Sequence, residues 1–344
     1  MSATAILSDT GGAGLAHGGD LGAARLLFPG APEPLVDLST GINPHAYPMP
    51  PLAPETFRRL PEPAAVGRLC AIAAKAYGAP SAAHVVAAPG TQILLPCVAA
   101  LVPPARAAVL GPTYSEHLRV ARLVGHTATE VGDVRQIDDA ILAIVVNPNN
   151  PDGRLLANDV LLAAADRLRL RGGLLVVDET FMDVGPSDAS LGAEVARGNI
   201  VVLRSFGKFF GLAGVRLGFA LAAPEIAARL NAWLGPWAVS GPAIAIGEVA
   251  LADAAWAGTA RALLEREAAR LDQLLTAAGL DIVGGTSLFR LVRTPAASGL
   301  FHHLGRAGIV VRRFAEQPTW LRLGIPAGAG ARDRLCTALA SFRG

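Results

Sequence analysis

Cysteine is scarce: Cys70, Cys97 and Cys336 are the only three in 344 residues. They are too few and too scattered for a disulfide framework, and none makes the CxxC spacing of a metal or redox pair, so each reads as a small core residue and no metal site is expected. Charge of one sign is missing as well. Thirty Lys and Arg stand against 28 Asp and Glu, a net charge of +2 with no long run of either sign, which leaves no electrostatic footprint for nucleic acid or an anionic membrane. No apolar run reaches the roughly 18 residues of a membrane span. "ILLPCVAALVPP" is cut by prolines, and the high hydropathy owes most to alanine. The opening "MSATAILSDTGGAGLAHGGD" has no basic stretch followed by an apolar one, so no signal peptide is read and a cytoplasmic location is expected. Its glycines follow no buried strand, which argues against a dinucleotide-binding fingerprint. Neither internal repeats nor a low-complexity tail are present. These absences leave small-molecule chemistry as the favoured class.

What is present is a chain that is 52% hydrophobic and 17% charged, with 38 glycines and 25 prolines, suited to a large domain and a smaller one. Short apolar runs alternate with helical patterns. "HVVAAPG" (84–90), "RAAVLGPTY" (106–114), "AILAIVVNPNN" (140–150), "GGLLVVDETF" (172–181), "NIVVLRSFG" (199–207) and "RLGFALA" (216–222) read as buried strands, with a helix-like segment at 154–171. That rhythm predicts an α/β fold whose mostly parallel central sheet carries helices on both faces. Ligands in such sheets collect beyond the carboxyl ends of the strands, where Asn150, Asp178 and Ser205 fall. After "GPWAVSGP" (235–242) comes a long helical pattern, then "LFRLV", "GIVVRRF" and "WLRLGIP" as shorter strands, read as a smaller α+β domain. The expected division is an N-terminal segment 1–48, a large domain 49–237 and a small domain 238–344.

The stretch "VVLRSFGKFFGLAGVRLGFA" (201–220) holds a single lysine, Lys208, among apolar and aromatic neighbours. Burial disfavours the charged form of a lysine, and a neutral lysine forms Schiff bases with carbonyls. Pyridoxal phosphate is a cofactor that needs such a lysine, an acidic partner for its pyridine nitrogen and a phosphate cup. Asp178, thirty positions before Lys208, closes the strand "GGLLVVD"; Asn150 in "NPNNPDG" could donate to the ring's phenolate oxygen. "PGTQ" (89–92) ends a strand and opens a helix whose first N–H groups can receive a phosphate. Ser205 and Arg216 add a hydroxyl and a cation.

"NPNNPDG", "VVDETFMDV" and "SFGKFFGLAGVRLG", in this order and spacing, resemble the cofactor motifs of the fold-type I pyridoxal-phosphate enzymes, the aspartate aminotransferase-like fold. The branch is the one that holds histidinol-phosphate aminotransferase and threonine-phosphate decarboxylase. The N-terminal "HGGDLGAARLLFPGAPEPLVDLSTGINP" (17–44) resembles the decarboxylase side of that branch. The resemblance runs over essentially the whole chain. It implies pyridoxal 5'-phosphate as cofactor, with Lys208 and Asp178 catalytic and Gly90, Thr91, Gln92, Asn150, Ser205 and Arg216 also at the cofactor. It puts His117, three residues after Tyr114, where relatives stack an aromatic on the ring, and makes His17, Asn43, Arg312 and Arg322 substrate-binding. The expected reaction is decarboxylation of L-threonine O-3-phosphate by a homodimer; the alternative is an aminotransferase acting on histidinol phosphate. A cofactor-binding regulator is disfavoured, because the residues before "GINP" show neither the charge nor the helical pattern of a DNA-binding module. The chain also departs from the pattern. Phe181 stands where aminotransferases have a tyrosine, Leu60 where many relatives reach the neighbouring subunit, and Gly207 where a hydroxyl residue commonly precedes the lysine.

Overall fold

Seven short strands make the central sheet of a computed structural model that describes residues 18–343. In chain order the molecule's strands are β1 (Val36–Asp37), β2 (Val85–Ala88), β3 (Arg106–Leu110), β4 (Thr127–Val131), β5 (Leu142–Val146), β6 (Leu174–Asp178), β7 (Ile200–Ser205), β8 (Gly218–Leu221), β9 (Asp281–Thr286), β10 (Phe289–Arg293), β11 (Ile309–Val310), β12 (Arg312–Arg313) and β13 (Trp320–Gly324). The central sheet has the order β2-β8-β7-β6-β5-β3-β4. Its neighbours pair in parallel from β7 through β6, β5 and β3 to β4, and only β8 runs antiparallel, against both β7 and β2. Every residue of β5, β6 and β7 is buried, as strands covered on both faces must be. The edge strand β4 escaped the sequence reading. Its "TATEV" buries only Ala128, so it lacks the continuous apolar run that marked its neighbours.

The chain divides into two compact units. The larger holds residues 42–266 and 284–288; the smaller holds the described residues up to Gly41 together with 267–283 and 289–344. The boundary differs from the expected one at 237/238. The helix Gly241–Ala252, assigned by sequence to the small domain, packs against the helix Pro63–Tyr77 of the large unit, because "GPAIAIGEVALA" is apolar but for Glu248, which pairs with Arg68 of that same helix. The segment before Gly41 is part of the small unit, where β1 pairs in parallel with β11. Strands β12, β13 and β10 pair antiparallel there in a sheet completed by β9. Phe28, Leu300, Phe301, Leu321, Leu323 and Leu335 are among its buried core.

Lys208 sits on a helix of four residues, Phe206–Phe209. A helix that short cannot sustain itself. It is held by burial: Phe206 and Phe209 are nearly inaccessible and Phe210 follows them inward, each worth about 1.5–3 kcal/mol. Phe210 stacks between Phe206 and Trp256, with centroids at 4.5 and 5.4 Å. Gly207 has a steric reason to be glycine, since a Cβ there would lie 2.8 Å from the Ala213 Cα. Gly207→Ser, which restores the hydroxyl residue common in relatives, is therefore expected to destabilise the protein by about 1–3 kcal/mol. Thermal denaturation measures this, and an unchanged midpoint would refute the packing argument.

Candidate active site

The residues at the strand ends converge for a topological reason. Parallel neighbours deliver their last residues to one edge of the sheet, and the register sets Val146 beside Asp178 and Asp178 beside Leu203. Ser205, the last residue of β7, lies opposite Gly218, the first of β8, and Gly218 in turn lies opposite Ala88, the last of β2. Gly90–Thr91, Ser205 and Arg216 therefore gather around Gly218. The fit is close. A Cβ on Gly218 would fall 2.6 Å from the Thr91 backbone nitrogen, and one on Gly90 2.6 Å from Arg216 Nη2. Gly90 also has φ +86°, the left-handed region that glycine tolerates. A backbone N–H, a hydroxyl and a guanidinium around a side-chain-free cradle suit a phosphate monoester. The expected phosphate group of pyridoxal phosphate fits these residues.

Of the asparagines in "NPNNPDG", two are engaged by the loop itself. Asn147 exchanges hydrogen bonds with the backbone of Leu156; Asn149 donates to Pro112 O and Asp152 and accepts from the Thr113 hydroxyl. They hold the loop so that Asn150, half-buried, follows the end of β5.

Asp178 is buried at 6% exposure. Burial on its own would raise its carboxyl, but the hydrogen bond and charge of His117 and two hydrogen bonds from Thr180 outweigh it and hold Asp178 below the usual carboxylate range. An ionised, dry aspartate is the partner that a protonated pyridine nitrogen requires. His117 Nε2 lies 2.8 Å from Asp178 Oδ2, and its ring meets Tyr114 edge-on, with centroids 5.8 Å apart. His117, expected to stack on the cofactor ring, engages Asp178 through its ring edge.

Two further expected site residues have protein partners. Gln92, expected in the phosphate cup, donates from its amide to Glu116 and accepts from the Tyr114 hydroxyl. Asn43 was expected to bind substrate. It is 2% exposed, its Nδ2 donates to Phe209 O at 2.8 Å and its Oδ1 accepts from His45 N, while its backbone N–H donates to Lys208 O at 2.9 Å. Asn43 fastens the carbonyl end of the lysine helix. The signal that could have found this is the short helix itself, whose last carbonyls need donors from elsewhere.

Arg322 and Arg312 lie in the small unit, directly opposite each other on β13 and β12. Side chains so paired share one face of the sheet, where like charges repel. Arg322 donates from Nη2 to Ser39 O at 2.8 Å and lies over the Phe289 ring, 5.1 Å from its centroid. Burial first, then the charge of Arg312, push Arg322 down to about 10, against Asp37, which raises it; it stays cationic at neutral pH. Two cations, one of them buried, thus sit side by side on this sheet. His17 lies outside the described residues.

A family model described as aminotransferase class I and II matches residues 53–339. The chain is 43% identical to a threonine-phosphate decarboxylase of a Sinorhizobium species over 95% of this chain and 98% of that one. It is 40% identical to a threonine-phosphate decarboxylase of Pseudomonas aeruginosa, over 96% and 98%. Among solved structures, histidinol-phosphate aminotransferase from Sinorhizobium meliloti in complex with pyridoxal-5'-phosphate matches with a TM-score of 0.79 at 21% identity, covering 92% of each chain; this is a likeness of fold.

The grip of His117 on Asp178 has a sign that can be tested. In the wild type the lowered carboxyl stabilises the fold above its unfolded pKa of about 3.9 and loses that contribution only as pH falls through the lower folded value. In His117→Phe burial is opposed only by the Thr180 hydrogen bonds, so the folded pKa is expected to rise above the unfolded one and the buried carboxylate to destabilise the variant at neutral pH. That penalty is relieved as pH falls through the raised value. Thermal denaturation of cofactor-free protein is expected to show the gap between wild type and variant narrowing from about pH 7 to about pH 4.5. A constant gap would mean that His117 does not set the charge on Asp178.

Proposed function

The chain belongs to the class I and II aminotransferase family, and on that premise we propose that it is a pyridoxal-phosphate-dependent carboxy-lyase acting on L-threonine O-3-phosphate. The products are (R)-1-amino-2-propanol O-2-phosphate and carbon dioxide, and the setting is cobalamin biosynthesis. The observation that carries this reading is the cross-strand pair Arg312 and Arg322, two cations for a substrate with two anionic groups. The relatives similar over nearly the whole chain favour the decarboxylase over the aminotransferase.

Pyridoxal phosphate, when bound, supplies the electron sink for the bond that breaks at the substrate's alpha carbon. The chain's own residues do the rest. Thr91 N–H, Ser205 and Arg216 hold the cofactor phosphate; Asn150 binds the ring oxygen. The Asp178 carboxylate, ionised and fixed by His117 and Thr180, keeps a proton on the ring nitrogen. Lys208 is the attachment point, and its amine is the group suited to move a proton. Which substrate bond breaks would depend on how the substrate is held. Arg322, Arg312 and His17 decide this by anchoring the phosphate and carboxylate, so that binding energy from remote groups fixes the reacting rotamer.

Threonine phosphate is expected to release carbon dioxide without 2-oxoglutarate. Arg322→Ala should lower kcat/KM roughly ten- to a hundredfold, the worth of a charge-assisted hydrogen bond of about 1.5–3 kcal/mol. Glutamate formation from histidinol phosphate and 2-oxoglutarate at ordinary rates, with threonine phosphate untouched, would replace this reading by the aminotransferase.

The same reading takes the working unit to be a cytoplasmic homodimer. Phe57, Leu60, Trp237 and Val249 of the large unit are exposed apolar side chains, Phe57 at 66% and Trp237 at 57%, and Trp237 is held at φ +59°, an unusual conformation for a bulky residue. The turn Glu55–Arg58 packs against the helix Gly241–Ala252, which brings several of them onto neighbouring elements. Large apolar side chains left in water mark interaction sites, and symmetric dimers are the commonest soluble assembly. Sedimentation should give twice the chain mass and Trp237→Asp should weaken association; a fully active monomer would refute this.

A further inference from the structure

Two of the strand ends that bear site residues also bear, one position away, a charge directed to the opposite face, because successive side chains on a strand alternate. Glu179 follows Asp178, and Arg204 precedes Ser205. The two meet behind the site: Arg204 Nη1 donates to Glu179 Oε2 at 2.9 Å, and Nη2 to Asp183 Oδ1 at 2.7 Å. All three are buried, with Glu179 at 0% exposure, Arg204 at 4% and Asp183 at 6%. The guanidinium lies over the Tyr77 ring, 4.4 Å from its centroid. Glu179 also accepts from Leu191 N and the Ser190 hydroxyl, and Arg261 donates to Asp183 O. One planar fork thus binds both ends of the turn 179–183, which begins immediately after Asp178, to the strand that runs into Ser205 and Lys208.

We infer that Arg204, gripping Glu179 and Asp183, is the positioning residue that sets the spacing between the Asp178 loop and the Lys208 loop. The pairwise geometry supports this over a role in stability alone. A buried ion cluster is weak as a source of stability, and apolar side chains of similar size often serve as well. Here the cluster instead joins two loops that the sheet hydrogen bonds leave free to diverge: the β6–β7 ladder reaches Glu179 N, bonded to Leu203 O, and Arg204 adds the next rung. Arginine suits this role because its guanidinium holds two N–H groups in a fixed planar fork, whereas a lysine's ammonium is a compact point charge that does not fix the distance between two carboxylates. The inference rests on the reading that Asp178 and Lys208 hold pyridoxal phosphate.

The test measures equilibrium binding of pyridoxal phosphate to cofactor-free protein, together with the pH midpoint of the visible absorbance of the loaded protein. Arg204→Lys and Glu179→Gln are each expected to weaken binding at least about tenfold and to displace that midpoint. Glu267→Gln serves as a control, since Glu267 is equally buried and paired with Arg270 and Arg332, but in the small unit. It should lower the thermal midpoint without changing either readout. If Arg204→Lys and Glu179→Gln bind within twofold of the wild type, or change only as the control does, the inference is wrong. Should the single variants not fold, the neutral combination Arg204→Met, Glu179→Gln and Asp183→Asn removes every charge of the cluster. Folding with weakened cofactor binding supports the inference, and folding with wild-type binding or failing to fold overturns it in favour of a purely structural role. Borohydride reduction of the loaded wild type, with the added mass mapped to Lys208, separates the two levels: if the mass is not on Lys208, the reading of the site fails and takes this inference with it.

Discussion

Parallel strands placed side by side must all end at the same edge, and this constraint governs the large unit. β5, β6 and β7 end respectively before Asn150, on Asp178 and on Ser205, so residues far apart in the chain reach one line without any special turn. The reversed strand β8 is the complement. Because it runs against both neighbours, its first residue, Gly218, sits where β2 and β7 finish, and the chain entering it carries Arg216 to the same place. A phosphate cradle follows from strand direction and from two glycines that leave the backbone approachable.

The same constraint creates a problem of polarity. The edge of a sheet covered on both faces is dry, and polar groups there are costly unless paired. The molecule meets this with local partners on both sides of the sheet. On one side Asp178 is held by His117 and Thr180; on the other, Glu179 and Asp183 share Arg204. Burial raises Glu179 even against that cation, whereas Asp178 ends below its ordinary range. Neighbouring carboxylates in one chain segment thus take opposite shifts although each accepts three hydrogen bonds: burial prevails at Glu179, and the partners prevail at Asp178.

The lysine's position depends on packing more than on helix formation. Its helix is too short to persist alone, so aromatic burial and the backbone bonds from Asn43 and Tyr47 to the carbonyls of Lys208 and Phe210 fix it. This accounts for the change in the role of Asn43. An asparagine in a loop before a proline reads equally well as a ligand contact or as a clasp, and only its neighbours in space distinguish them. His117 and Gln92 likewise have polar partners on other elements, Asp178 and Glu116.

Sequence by itself determined the mostly parallel sheet, because strands buried on both faces must be continuously apolar and such runs are visible without a structure. It also picked out lysine, aspartate, asparagine, serine and arginine beside the strand ends as a candidate site, since few of these residue types are otherwise needed at the edge of a buried sheet. It did not reveal β4, whose single buried residue leaves no periodic signal, nor the unit boundary, which depends on where an apolar helix finds its partner. Tertiary structure alone decided which side chains face the cradle and which secure it from behind. Asp178 and Glu179 are adjacent carboxylates; the alternation of the strand turns one toward His117 and the other toward Arg204, and these contacts join residues 61 and 25 positions apart.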